Sequence, residues 1–256
     1  MPLTPKTVLV TGTSRGIGLE FVKQFLNLPT PPEKLVAACR NPSTATELQK
    51  LAAGNATVKV IKLDVENDED IDAAFKQTEA ALGDRGLNLL ISNAGFMDRS
   101  TEGSLKDITR ANMQKHFSIN ATSPVMIVQK FLPLLVKAAS QEKLQDLSAS
   151  RAGVVMISGR LGSQGFIFKN GYGSWIPYKC SKTALNMATI MISRELKDSG
   201  ILVTAIHPGW VRTDMGTEAA PTGKEESVAD CLKVIGEAGL KTHGKLIDYQ
   251  GQILDY

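Results

Sequence analysis

Short apolar, β-branched runs recur along the chain, separated by stretches whose apolar positions return every three or four residues. The runs Thr7–Thr11, Leu35–Cys39, Thr57–Leu63, Leu87–Ser92, Gly153–Ser158, Ile201–His207 and Lys245–Asp248 predict seven strands. Most are apolar throughout rather than alternating, as parallel strands covered on both faces should be. Helices are expected near Gly16–Leu28, Thr44–Ala53, Glu69–Leu82, Asn112–Ala139, Pro177–Lys197 and Glu225–Glu237. Such alternation builds an α/β, doubly wound, mainly parallel seven-stranded sheet, with ligands at the carboxyl ends of the strands. No linker, composition break or repeat divides the chain, so residues 1–256 are expected to form a single domain. Three loops stand out. Ser140–Arg151 is polar, and the segments 159–175 and 208–224 follow the fifth and sixth strands, where substrate loops would lie.

Composition narrows the class. The chain has 256 residues, 43% hydrophobic and 21% charged, which is ordinary globular usage and enough to bury a core. A net charge of +3 without a Lys/Arg stripe gives no basis for a nucleic-acid partner. Cys39, Cys180 and Cys231 are odd in number and far apart, so neither a disulfide framework nor a metal site is expected. His116, His207 and His243 share no metal-ligand spacing, and His207, before Pro208, is expected to be structural. The first residues lack a signal core, and no apolar stretch approaches the ~20 residues of a membrane span. A cytoplasmic protein without a membrane partner is expected.

The first strand ends in Thr11-Gly12-Thr13-Ser14-Arg15-Gly16-Ile17-Gly18, and a helix opens directly. A tight strand-to-helix turn of this kind aims free backbone N–H groups and a helix N-terminus at a pyrophosphate. This is the dinucleotide-binding turn of a Rossmann-type domain, though any tight βα turn could carry glycines. The same residues also spell GxSxG, the nucleophile elbow of hydrolases. That elbow belongs mid-sheet, after the strands that supply an oxyanion loop, and only eleven residues precede Gly12 here. The second strand ends in Cys39-Arg40, about 20 residues on, where NAD-selective proteins place an acidic residue. Arg15 and Arg40 would instead pair with a 2′-phosphate through charge-assisted hydrogen bonds, which favours NADP(H). The alternative is that Arg40 simply begins an exposed loop.

Tyr178-Lys179-Cys180-Ser181-Lys182 opens a helical stretch, placing Tyr178 and Lys182 one turn apart on one face. A free tyrosine, with a pKa of ~10, is a poor acid–base group at neutral pH. A nearby ammonium, together with a cationic nicotinamide ring, is expected to favour the phenolate and lower that value. Tyr178 could then exchange a proton with a carbonyl or alcohol oxygen while hydride moves at carbon.

With these pieces in order, the chain resembles the short-chain dehydrogenase/reductase family over essentially its whole length. The matching segments are Thr11–Gly18, Asp64-Val65, Asn93-Ala94-Gly95, Asn120, Tyr178/Lys182 and Pro208-Gly209. Leu161-Gly162-Ser163, Pro208-Gly209-Trp210-Val211 and the Asp255-Tyr256 tail look closest to sniffer-type carbonyl reductases. The resemblance implies an NADP(H)-dependent oxidoreductase acting on a carbonyl or alcohol substrate, as a homodimer or homotetramer. It implies that Gly12, Ser14, Arg15, Gly16, Ile17, Gly18 and Arg40 hold the phosphates. Asp64 and Val65 would meet the adenine, and Asn93, Ala94 and Gly95 the adenosine ribose. Tyr178, Lys182, Pro208, Gly209, Val211 and Thr213 would hold the nicotinamide end. Tyr178, Lys182 and Asn120 would form the proton relay. Plainer alternatives remain: Asp64 as a helix N-cap, Asn120 as a satisfied polar group, Thr213 as a loop hydroxyl.

One departure stands out. Where the family's fifth strand usually ends in a catalytic serine, this chain has Gly159. Ser158 stands one residue early and would face the opposite side of an extended strand, unless a twist swings it round. Ser163 is a second substitute. Losing one such donor costs ~10²–10³ in rate. A second reading therefore follows, a cofactor-binding protein with little turnover that serves as a sensor or interaction partner. Phe166, Phe168, Tyr172 and Trp175 would either line an apolar pocket or pack the loop.

Overall fold

A computed structural model of the chain describes residues 2–100, 102–142, 146–171 and 173–256. Tyr172, and residues 143–145 within the polar Ser140–Arg151 segment, lie outside the described residues. The strands are β1 (Thr7–Thr11), β2 (Lys34–Cys39), β3 (Val58–Lys62), β4 (Leu89–Ser92), β5 (Gly153–Ile157), β6 (Leu202–His207), β7 (Leu246–Asp248) and β8 (Ile253–Leu254). They form one sheet in the order β3-β2-β1-β4-β5-β6-β7-β8. The first seven are parallel, and β8 pairs antiparallel with β7. The sheet thus has eight strands rather than seven. The extra one is two residues long, too short to leave a periodic signal.

The helices are α1 (Gly16–Leu26), α2 (Thr46–Ala53), α3 (Asp68–Leu82), α4 (Arg110–Phe117), α5 (Ser123–Gln141), α6 (Gln164–Asn170), α7 (Ile176–Leu196) and α8 (Lys224–Glu237). Alternate residues of each strand feed two cores. Val8, Val10, Leu35 and Ala37 face one side, packed with Phe21, Phe25, Val228 and Ile235 of α1 and α8. Leu9, Val36, Ala38 and Leu90 face the other, packed with Ala74, Phe131, Leu135 and Leu185 of α3, α5 and α7. Both faces being dry explains why the strands read as unbroken apolar runs.

Strand order reverses direction between β1 and β4, so their carboxyl ends diverge into the crevice where open α/β sheets bind ligands. The expected helix 112–139 is two helices joined by a π-helical turn at Ser118–Thr122. The whole run Arg110–Gln141 is long and apolar enough, by length and composition, to cross a bilayer. That corrects the expectation that no such stretch exists. In this fold Ile127, Val128, Phe131, Leu134, Leu135 and Ala138 of α5 are buried in the second core.

Candidate active site

The turn after β1 is shaped by the protein's own crowding. Gly12 has φ +71°, and a Cβ there would lie 2.9 Å from the Ala94 Cα. A Cβ on Gly18 would lie 2.2 Å from the Gly12 carbonyl oxygen and 2.5 Å from Asn93 Nδ2. Gly16, at φ +60°, meets nothing nearer than Thr213 Cγ2 at 3.5 Å. Asn93 Nδ2 donates to Thr11 O at 2.8 Å, and the Asn93 and Ala94 amides both donate to Thr11 Oγ1 at 3.0 Å. The ends of β1 and β4 are thereby clamped, while Thr13 Oγ1 donates to Ala38 O and ties the turn to β2.

Helix α1 begins with Arg15 at its N-cap, in extended conformation, with no side-chain cap hydrogen bond. Its first-turn N–H groups are left for an anion, so the turn fits a pyrophosphate. Ser14 and Ile17 are partly exposed beside it, and Arg40 projects exposed from the end of β2. Arg15 Nε pairs with Asp214 Oδ2 at 2.8 Å, an exposed pair in which a carboxylate occupies a guanidinium expected to take a phosphate. Asp64 follows β3, where its Oδ1 accepts from Glu66 N; beside it, Val65 packs partly buried against the second core. Asp64 is not the helix N-cap. Asn67 fills that role for α3, its side chain accepting from Asp70 N at 2.8 Å.

Tyr178 and Lys182 lie on the first turns of α7, which opens with Pro177 in its first turn and Trp175, at φ +53°, as its N-cap. Lys182 is buried; its Nζ donates to Ile157 O at 2.9 Å and sits 5.9 Å from the Tyr178 ring centroid. Burial lowers the Lys182 pKa to about 8. Burial also pushes the Tyr178 phenol up to about 12, opposed by the charge of Arg99. Among the protein's own groups desolvation outweighs the neighbouring charge, and the cationic nicotinamide ring that the expectation pairs with the ammonium is what would have to offset it.

Asn120 sits in the π-helical turn, which rotates it inward, fully buried. Its Oδ1 accepts from Phe96 N at 2.8 Å, and its Nδ2 donates to Phe96 O at 2.8 Å and Ser181 Oγ at 3.0 Å. A Cβ built on Gly95 would lie 3.5 Å from Asn120 Oδ1 and 3.8 Å from Lys182 Nζ, so amide and ammonium flank one point. A Cβ built on Gly159 would lie 3.5 Å from the Tyr178 hydroxyl oxygen. Position 159 therefore does face the tyrosine. Ser158 does not: its buried Oγ donates at 2.6 Å to Oδ1 of Asn186, eight residues beyond Tyr178 along α7. Placing Ser158 among the catalytic groups is corrected on that ground, because no twist turns it round. Ser163 is also committed, accepting from Phe166 N as the α6 N-cap and donating to Asp255 O.

After β6, Pro208 O accepts from Ser227 Oγ, and a Cβ on Gly209 (φ +91°) would lie 3.1 Å from the Tyr249 ring. Val211 is buried and bridges to Thr222, and Thr213 Oγ1 accepts from Gly216 N at 3.0 Å. Thr213 is thus a loop hydroxyl with a structural bond, placed over Gly16. His207 is buried with its pKa lowered to about 3, chiefly by burial, in keeping with a structural residue. Phe168 is 92% exposed, while Phe166 lies under the Arg160 guanidinium.

Two participants left no motif in the sequence. Ser181 Oγ links Asn120 to the Tyr178 carbonyl, to which it donates at 2.7 Å. Arg99 Nε donates to Met215 O at 2.7 Å, and its guanidinium lies 5.4 Å from the Trp175 ring centroid. A lone arginine four residues past Gly95 carries no spacing that marks it.

Comparison with known proteins agrees with this geometry. Residues 6–224 match the profile of the short chain dehydrogenase family. An uncharacterized oxidoreductase of Schizosaccharomyces pombe is 31% identical, with 100% of each chain covered. The carbonyl reductase Sniffer of D. melanogaster superposes with a TM-score of 0.94 at 34% identity, covering 98% of this chain and 100% of that one. The NADPH-bound carbonyl reductase from chicken fatty liver gives 0.93 at 38% identity, covering 99% and 100%. A glycine turn at the switch point, a tyrosine and lysine one turn apart on α7, and full-length relatives converge on one conclusion: the chain belongs to the short chain dehydrogenase family.

Proposed function

We propose that the protein is an NADP(H)-dependent oxidoreductase that interconverts a carbonyl compound and its alcohol, with Tyr178 as general acid and base. The observation that carries this is the Tyr178 hydroxyl: it makes no hydrogen bond among the described residues and faces the open side of Gly159, with Lys182 beneath its ring. When bound, the nicotinamide supplies or accepts the hydride. The α1 N-terminus, Arg15 and Arg40 hold the phosphates, and Asp64 and Val65 the adenine side. Val211 and Thr213 steady the nicotinamide end. At neutral pH the phenol keeps its proton, which is the form that carbonyl reduction consumes. Lys182, with a pKa near neutrality, returns that proton, and Asn120 holds the loop and helix that position both groups. The 159–175 and 208–224 loops would enclose the substrate, and any homodimer or homotetramer would cover exposed Met187 and Met191 of α7. Following NADPH absorbance with aldehydes, diketones and quinones tests the reading. Turnover that falls at least ~10²-fold in Tyr178→Phe is expected, in line with the worth of positioned acid catalysis.

The bare glycine at 159, with Ser158 and Ser163 both tied elsewhere, favours a second reading: a cofactor binder with little turnover. Calorimetric affinity for NADPH without oxidation by any of those carbonyls would select it.

A further inference from the structure

Three loops meet at the N-terminus of α7, and one side chain joins them. Arg99 leaves the segment after β4, donates Nε to Met215 O in the 208–224 loop, and lays its guanidinium 5.4 Å from the Trp175 ring that caps α7. The segment carrying it is built to hold it there. His116, buried, accepts from Asp98 N at Nε2 and donates Nδ1 to Asn112 O. The Asp98 carboxylate, which could have neutralised Arg99, is spent instead on Ser100 N and Oγ and on Asn112 Nδ2. Asp214, the next acidic residue along the facing loop, pairs with Arg15. Among the described residues, Arg99 takes part in no ion pair, and its terminal nitrogens make no hydrogen bond.

A guanidinium pinned at Nε and at its face, with two terminal nitrogens free, is a fork held ready for a carboxylate. Arg99 is exposed, and the Trp175 ring against which it lies caps the helix that carries Tyr178, three residues ahead of that tyrosine, so the guanidinium stands at the mouth of the site. Beside the Tyr178 hydroxyl, Gly159 presents no side chain, which leaves room there for a substrate broader than a bare ketone. We propose that Arg99 is a specificity-determining residue that selects carbonyl substrates carrying a carboxylate. The inference rests on the carbonyl-reducing reading above and names the substrate class for that site.

Two matched pairs, alike but for charge, test it with NADPH: benzoylformate against its methyl ester, and 4-acetylbenzoate against 4-acetylbenzamide. The wild-type enzyme should favour the acid by about tenfold or more in kcat/KM in at least one pair, the discrimination of one charged hydrogen-bonded contact. Arg99→Gln should remove that preference, and Arg99→Lys should restore part of it. The acid-to-neutral ratio is the informative quantity, because a merely electrostatic effect of Arg99 on Tyr178 would slow both members alike. A ratio unchanged in Arg99→Gln, or a wild-type preference for the neutral member of both pairs, overturns the proposal while leaving carbonyl reduction intact. If no carbonyl compound is turned over, the functional reading fails instead. Calorimetry of mandelate and of 4-(1-hydroxyethyl)benzoate on the enzyme–NADP⁺ complex then decides the anion site separately. Binding of either acid that is weakened about tenfold in Arg99→Gln supports it, and no binding, or binding equal in both proteins, refutes it.

Discussion

Gly159→Ser places a hydroxyl beside that of Tyr178, at the position where the family resemblance implies a serine. Gly159 has φ −161° and ψ 146°, extended backbone that serine adopts freely. A Cβ there meets nothing closer than the Tyr178 hydroxyl oxygen at 3.5 Å, which is ordinary contact, so no neighbour has to move. The Oγ extends from that Cβ by a single bond. In a suitable rotamer it reaches hydrogen-bond range, ~2.5–3.0 Å, of the phenol or of a carbonyl oxygen held by it. A positioned oxyanion donor contributes ~10²–10³ to kcat, or about 2.7–4 kcal/mol of barrier. The variant should therefore raise kcat for small ketones by at least about tenfold, a discounted figure because the added hydroxyl would lack an evolved surrounding network. NADPH oxidation at saturating cofactor measures it, with a thermal melt and NADPH calorimetry as controls. A variant that melts and binds like the wild type yet shows unchanged kcat on every carbonyl tested would refute the reasoning. Position 159 would then not be where the protein lacks catalytic help.

Arg40→Asp should shift preference from NADPH toward NADH by about 10–100-fold in the ratio of kcat/KM, since a charged hydrogen-bonded contact is lost and a like charge introduced; an unchanged ratio would remove Arg40 from the phosphate site. Lys182 gives a pH signature. Its folded pKa of about 8 lies below the unfolded value of ~10.4, so between those values the unfolded chain holds more protons and folding stability rises with pH. Denaturant titrations of wild type and Lys182→Met at pH 7 and pH 10 should show the wild type gaining up to about 3 kcal/mol on the variant. Taking the difference cancels the buried thiols Cys39 and Cys231, whose raised pKa values act in the opposite sense in both proteins. A gap that does not move with pH would mean that Lys182 is not buried as an ammonium.

Much of the architecture was legible because it rests on local periodicity. Each strand pattern marks a segment dry on both faces, and each helix pattern a single buried stripe, so all seven expected strands lie within two residues of the observed ones at either end and β1 matches at both ends. The seventh, Lys245–Asp248, was located as well, but its partner β8 was missed because two residues cannot show a period. Helix α6 falls where the pattern predicts only loop, since seven residues give barely two turns and its glycine and exposed Phe168 blur the stripe. Within the site, the glycine turn and the Tyr178/Lys182 pair lie within single turns, where spacing alone dictates neighbours. Where Ser158 points depended on which side of β5 received α7 and its Asn186. The phenol's pKa depended on how deeply α7 sank, a balance of desolvation against charge that no local spacing encodes. Arg99 reached Trp175 and Met215 across 76 and 116 residues of chain (175 − 99 and 215 − 99), and only the closed tertiary structure brings such distant loops to one place.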